Sequence, residues 1–165
     1  MTFLAIWESK AYFLVENDRI IKKLHNNDYR KICSLDPLKE KTTYRIKFRI
    51  LQMGTIAIGL VPTQNKGGLF IDNRYTDALK FITFANQDGG KLMLNGEDLH
   101  NTRDLAMRAG DEFEMIFDAK AMTVTIKTNR MRQKALVDLS VFKEEELYLF
   151  LEMKQQNTCI EFLTK

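Results

Sequence analysis

Alternation of apolar and polar residues is the main pattern of this chain, and it predicts β-strands. Between Arg108 and Thr128 two alternating runs flank a short polar turn that begins at Asp118. Large apolar side chains occupy every second position, the spacing of a strand with one buried face, at Phe113, Met115, Phe117, Met122, Val124 and Ile126. An aspartate at the first position of a type I turn can accept a hydrogen bond from the backbone two residues on. The segment therefore predicts an antiparallel hairpin.

Short strand patterns recur along almost the whole chain. Further strands are predicted at 11–15, 19–24, 43–51, 55–61, two within 79–95, 135–142, 147–153 and 158–163. Ten or more short strands without a long amphipathic helix indicate an antiparallel sandwich or barrel. The run at 79–85 is apolar on both sides, which favours a sandwich because two packed sheets bury both faces of some strands. The predicted fold is an all-β, two-sheet antiparallel sandwich.

Four longer segments between the predicted strands lack this alternation. They span 25–41, 62–77, 96–109 and 129–134, and one helical turn is expected at 104–108. Loops held on a rigid sandwich are where recognition usually takes place. We therefore look for binding residues in these four segments.

Composition places the chain among ordinary globular proteins. With 165 residues, 45% of them hydrophobic and 28% charged, it is predicted to form a single domain, residues 1–165. A net charge of +3 is too small to indicate nucleic acid by itself. Cys33 and Cys159 lie far apart without a CxxC motif, so they predict buried free thiols and an intracellular protein, cytoplasmic or nuclear. No apolar run approaches the roughly 18 residues of a membrane span.

Residues suited to catalysis are few and scattered. His25 and His100 lack the paired spacing of zinc ligands, and no glycine-flanked nucleophilic serine or phosphate-binding loop occurs. We therefore expect no enzymatic activity, no catalytic residues, no cofactor and no metal.

Five segments, in this order, resemble the SPRY/B30.2 family across residues 12–163. They are YFLVENDRIIKKL, TTYRIKFRILQMGTIAIGLV, FITFANQDGGKLMLNGE, RAGDEFEMIFDAKAMTVTIKTN and LYLFLEMKQQNTCIEFL. The fourth segment matches the family's Gly-Asp, strand, Asp, turn, strand, Asn pattern at Gly110, Asp111, Asp118 and Asn129.

The resemblance implies a concanavalin-like jelly-roll sandwich without enzymatic activity, whose loops at one end hold a peptide or a protein surface. Such a chain acts alone or as a subunit of a larger complex. The family supplies no fixed contact residues, so we choose Tyr and Arg, which dominate interface hot spots, and Asn, which can bond a peptide backbone. The predicted partner-binding residues are Tyr29, Arg30, Asn65, Asn73, Arg74, Tyr75, Arg130 and Arg132.

Two other functions fit a sandwich of this kind. One is a lectin-like carbohydrate-binding sandwich, which would need exposed aromatic residues on a concave face and an acidic calcium site. The other is nucleic-acid binding through a basic stripe formed by Arg45, Lys47 and Arg49, which alternate outward on the predicted strand 43–51.

Overall fold

The computed structural model describes residues 12–17, 19–34, 36–38, 42–62, 78–85 and 89–163. These residues form thirteen β-strands. Their bounds are β1 (Phe13–Glu16), β2 (Ile20–Lys23), β3 (Arg30–Cys33), β4 (Thr43–Gln52), β5 (Ile56–Pro62), β6 (Leu79–Thr83), β7 (Gly90–Leu94), β8 (Glu97–Thr102), β9 (Glu112–Asp118), β10 (Thr123–Thr128), β11 (Ala135–Asp138), β12 (Leu147–Met153) and β13 (Cys159–Phe162). Two 3-10 turns occur at Arg103–Leu105 and Ser140–Phe142.

The strands build two antiparallel sheets, which confirms the predicted sandwich. The seven-stranded sheet has the order β1-β2-β13-β4-β9-β10-β11. The six-stranded sheet has the order β3-β12-β5-β6-β7-β8. Apolar side chains from both sheets form one core, and the rings of Phe81 in β6 and Phe113 in β9 meet across it at 4.9 Å between centroids.

The hairpin predicted at Arg108–Thr128 is confirmed as β9 and β10, which pair from Thr123 opposite Asp118 to Thr128 opposite Phe113. Asp118 Oδ1 accepts hydrogen bonds from the backbone N–H groups of Lys120 at 3.0 Å and Ala121 at 2.9 Å. The expected turn chemistry therefore closes this hairpin.

β5 is buried along its whole length, as its continuous apolar run predicts. It lies between β12 and β6, and Gly59 allows β6 to approach closely. A Cβ added at Gly59 would lie 1.7 Å from the carbonyl oxygen of Leu79, so no larger residue fits there without moving the backbone.

Two of the four segments predicted to be irregular contain strands. β3 lies within 25–41 and β8 within 96–109, and they are the outermost strands of the six-stranded sheet. The turn before β8 is Asn95–Gly96, where both residues have positive φ, as a two-residue hairpin requires. The expected helical turn at 104–108 is a 3-10 turn that begins one residue earlier, at Arg103.

Chain connections gather at the two ends of the sandwich. We call the end that carries residues 24–29, 53–55, 103–111, 129–134 and 154–158 the Asp111 end. The opposite end, which carries residues 36–38, 119–122 and 139–146, is the Asp118 end. Within the described ranges, no helix is long and apolar enough to cross a membrane.

Candidate partner-binding site

The eight predicted partner-binding residues divide into two groups. Asn65, Asn73, Arg74 and Tyr75 lie outside the described residues. Tyr29, Arg30, Arg130 and Arg132 all lie at the Asp111 end, but at opposite margins of it. Three strands, β13, β4 and β9, separate β2 from β10, which corresponds to about 19 Å at the usual strand spacing. The structure therefore does not bring the four residues into one cluster.

Tyr29 and Arg30 contact their own chain at the first margin. Arg30 belongs to β3, where it pairs with Met153, and its guanidinium lies 4.0 Å from the centre of the Tyr12 ring. Arg30 Nη2 also lies 2.7 Å from Asp28 Oδ2. The Nζ atom of Lys154 lies 5.0 Å from the centre of the Tyr29 ring. These contacts fix both side chains, so this margin presents a rigid surface.

A buried lysine organises the segment that precedes Tyr29. Lys23 is fully buried, and its Nζ donates hydrogen bonds to the carbonyl oxygens of His25 and Asn26. The same Nζ lies 3.2 Å from Asp28 Oδ1. Burial would raise the pKa of Asp28, but the hydrogen bond from Lys23 and the charge of Arg30 outweigh it and lower this pKa. The buried ammonium thus replaces water as the partner of otherwise orphaned backbone groups.

A buried carboxylate organises the second margin in the same way. Gly110 has a φ of 92°, and it turns the chain so that Asp111 enters the protein with 8% of its side chain exposed. Asp111 Oδ2 accepts hydrogen bonds from Arg130 Nε and, at 2.7 Å, from the backbone N–H of Arg108. Asp111 Oδ1 accepts one from Asn129 Nδ2 at 3.1 Å. The Gly-Asp pair therefore positions the connection between β10 and β11.

Charge around Asp111 follows from these contacts. Burial would raise the pKa of the Asp111 carboxyl, but the hydrogen bonds from Arg130, Arg108 and Asn129 lower it below its usual value. The hydrogen bond to Asp111 raises the pKa of Arg130. The guanidinium of Arg130 therefore binds Asp111 and stabilises the loop to which Arg130 itself belongs.

A cavity of about 320 Å³ opens beside this network. It lies between the 3-10 turn Arg103–Leu105 and the β10–β11 connection. Its lining is Asp104, Leu105, Met131, Arg132, Gln133, Lys134 and Ala135. Arg132 and Lys134 are exposed, whereas Leu105 and Ala135 are buried. An apolar floor whose walls carry two cations and the carboxylate of Asp104 can take an apolar side chain flanked by polar or charged groups.

A second cavity, of about 300 Å³, opens at the Asp118 end. It is lined by Leu38, Phe117, Ala119, Lys120, Met122, Lys143, Glu145 and Leu147. None of the four predicted partner-binding residues that the structure describes, Tyr29, Arg30, Arg130 and Arg132, lines it. It offers a natural control for experiments at the Asp111 end.

The predicted basic stripe on β4 is paired with acidic residues on the neighbouring strand β9. Lys47 Nζ and Arg49 Nη2 each lie 2.7 Å from a carboxylate oxygen of Glu112, and Arg45 lies 3.4 Å from Glu114. The hydrogen bonds from Lys47 and Arg49 lower the pKa of Glu112. The outward direction of the three cations is confirmed, but the face carries mixed charge, which weakens the argument for nucleic acid.

The lectin-like alternative gains no support from the described residues. In that part of the chain, no group of three or more His, Cys, Asp or Glu could hold a metal ion. The exposed large hydrophobic residues found there are aliphatic: Leu14, Leu51, Leu99, Leu136 and Val141.

Solved structures share this architecture. The SPRY domain of human HERC1 superposes with a TM-score of 0.67 at 18% sequence identity, covering 91% of each chain. The chain has the SPRY fold. The TRIM65 PSpry domain gives a TM-score of 0.70 at 10% identity, covering 93% of this chain and 86% of that one. Stonustoxin gives a TM-score of 0.61 at 10% identity, and the match covers 92% of this chain but 27% of the stonustoxin chain. No protein-family model and no curated protein matches the sequence.

Within this SPRY fold, the cavity at the Asp111 end was only partly predictable. Arg132, one of the predicted partner-binding residues, lines this cavity, whereas Met131, Leu105 and Lys134 were not selected from the sequence. The Asn95-Gly96 dipeptide, a strong hairpin signal, would have revealed β8 and hence the return of the chain to the 3-10 turn.

Proposed function

We propose that the chain is a non-catalytic protein-interaction module that binds a peptide or a protein surface through the Asp111 end. This proposal rests on the cavity lined by Arg132 and Lys134. It is also supported by the fold, which is shared with SPRY domains that generally mediate protein–protein interaction. The lining combines an apolar floor with directed cationic donors, the pairing found at interface hot spots.

The module is proposed to work inside the cell, possessing no activity of its own and joining a larger complex. Cys33 and Cys159 are buried and are not linked in a disulfide, which fits a reducing compartment. The segment 62–77, which contains Arg74 and Tyr75, is proposed as a second and separate contact region. The strand before it ends at the Asp118 end, where Pro62 pairs with Leu147.

The test is affinity capture from extracts of the native cell, read by mass spectrometry, with matched charge reversals. Arg132→Glu at the cavity of the Asp111 end should reduce capture by roughly tenfold or more, as expected for loss of a hot-spot arginine. Lys120→Glu, at the cavity of the Asp118 end, should leave capture unchanged. Equal capture by all three folded proteins would refute the assignment, and loss with Lys120→Glu alone would move the site to the Asp118 end.

The double variant Arg74→Ala/Tyr75→Ala examines the segment 62–77 separately. Loss of capture would assign this segment to the interface. Undiminished capture by the folded double variant would remove it from the site.

A further inference from the structure

The edge of β11 carries backbone groups that point away from its sheet. β11 is the last strand of the seven-stranded sheet in the described part of the chain. The backbone N–H of Leu139 donates to the carbonyl of Met122, and hydrogen bonding in an antiparallel pair alternates from residue to residue. Counting back from Leu139, the N–H and C=O groups of Leu136 and Asp138 point to the outer edge.

Leu136 combines this open edge with an exposed apolar side chain. It is 71% exposed, the highest value among the large hydrophobic residues that the structure describes. Natural sheets usually protect an edge with charged side chains or a covering segment, because an open edge pairs readily with another strand. A large exposed leucine at the centre of such an open edge therefore indicates that another β-strand pairs with β11.

The sequence around Leu136 is complementary to itself. Lys134 precedes it by two residues and Asp138 follows it by two, and all three are exposed. In an antiparallel pair of two copies centred on Leu136, each Leu136 lies opposite its counterpart. Each Lys134 then lies opposite Asp138 of the second copy, and opposite charges at directly facing positions stabilise a strand pair.

We propose that β11 pairs antiparallel with β11 of a second copy of this chain, in the register centred on Leu136. Such an interface is isologous, since the same patch serves on both copies. It joins the two seven-stranded sheets into one continuous sheet. Lys134 also lines the cavity proposed above to bind a partner, so pairing of two copies is measured on the purified chain without a partner.

The pairing has a consequence for geometry and strength. Because the paired strands run in opposite directions, the Asp111 ends of the two copies point away from each other, so the dimer can bridge two partners. A single short strand from each copy buries less area than a stable dimer needs, so we expect a dissociation constant on the order of 100 µM.

The experiment measures the weight-average mass of the purified chain by sedimentation equilibrium from about 10 µM to about 1 mM, a range that brackets the expected dissociation constant. Lys134→Glu and Asp138→Lys should each raise the dissociation constant roughly tenfold, since each places like charges together at two symmetric positions. The double variant Lys134→Glu/Asp138→Lys should restore pairing. Lys22→Glu, the same charge change on β2 near the opposite side of the seven-stranded sheet, is the matched control.

Asp138 also accepts a hydrogen bond from the backbone N–H of Ser140 at 2.8 Å, so Asp138→Lys can disturb folding. Leu136→Pro provides a second test, because it removes an outward N–H that β10 does not use. It should abolish dimerisation while thermal unfolding stays close to that of the wild type. In the wild type, the Leu136 amide should exchange with deuterium more slowly at high protein concentration than at low concentration.

Three results would overturn the proposal. The chain could remain monomeric over the whole range, or it could form a dimer that is indifferent to Lys134→Glu and to Leu136→Pro. Protection of the Leu136 amide that does not change with protein concentration would assign the edge to a segment of the same chain.

Discussion

Asp111 shows how one side chain can shape a loop that lies far away in the sequence. It reaches Asn129 and Arg130, 18 and 19 residues further along, and both contacts bear on the connection that forms the cavity wall. A buried carboxylate is costly unless charged and polar donors surround it, and here three donors do so. These donors therefore stabilise the ionised form of Asp111, and through it the loop.

Replacing Asp111 by asparagine should lower the free energy of unfolding at neutral pH by about 2 kcal/mol, because hydrogen bonds to a charged group are lost in a buried setting. Urea denaturation of both proteins measures this. The folded pKa of Asp111 is lowered from 3.8, so its stabilising effect is present above that value and is lost as pH falls through the folded pKa. The two proteins should therefore converge in stability as the pH falls progressively below 3.8.

Glu144→Gln is the control, since Glu144 is exposed in the connection before β12. It should leave the unfolding free energy within about 0.5 kcal/mol of the wild type. A difference between Asp111→Asn and wild type that stays constant from neutral to acid pH would show that the ionised form does not hold the loop.

The connection between β2 and β3 is held in its conformation by Lys23, the last residue of β2. The connection has little apolar surface to bury, and the Lys23 ammonium instead supplies hydrogen bonds to two of its carbonyl groups. The connection in turn positions β3, on which Arg30 lies.

Lys23→Met should lower the free energy of unfolding by about 3 kcal/mol, because it leaves carbonyl groups and Asp28 without their buried donor. Deuterium exchange of the amides in residues 24–28 should accelerate. Lys22→Met is the matched control, since Lys22 is the preceding residue and its side chain points to the other face of β2. Identical unfolding and exchange of the two variants would contradict the role given to Lys23.

The elements missed by sequence analysis share a position in the sheet. β3 reads RKIC and β8 reads EDLHNT, and both are edge strands of the six-stranded sheet. β3 and β8 are short and largely polar, unlike the edge strands β1 (FLVE) and β11 (ALVD), so they lack the apolar alternation on which strand prediction depends. Strands inside the sheets, such as β4 and β9, were predicted well because one face of each must enter the core.

For the whole molecule, the architecture was predictable and the site only in part. Alternation and the order of the segments indicated a two-sheet SPRY sandwich, which the structure confirms. Contacts between distant strands could not be predicted, because they depend on register. The pairing of Arg49 with Glu112, 63 residues apart, turned an expected basic stripe into mixed charge. The pairing of Arg130 with Asp111 likewise made a predicted binding residue part of the loop's own framework.

Each of the two sheets contains one of the two cysteines. Cys33 lies in β3 of the six-stranded sheet and Cys159 in β13 of the seven-stranded sheet, and both are buried thiols outside any disulfide. Burial raises the pKa of the Cys159 thiol, so this sulfur reacts slowly while its strand stays in place. Each sheet thus contains one buried thiol that becomes accessible to an alkylating reagent when its strand separates from the sheet. Alkylation rates measured in single-cysteine variants would show which sheet opens first.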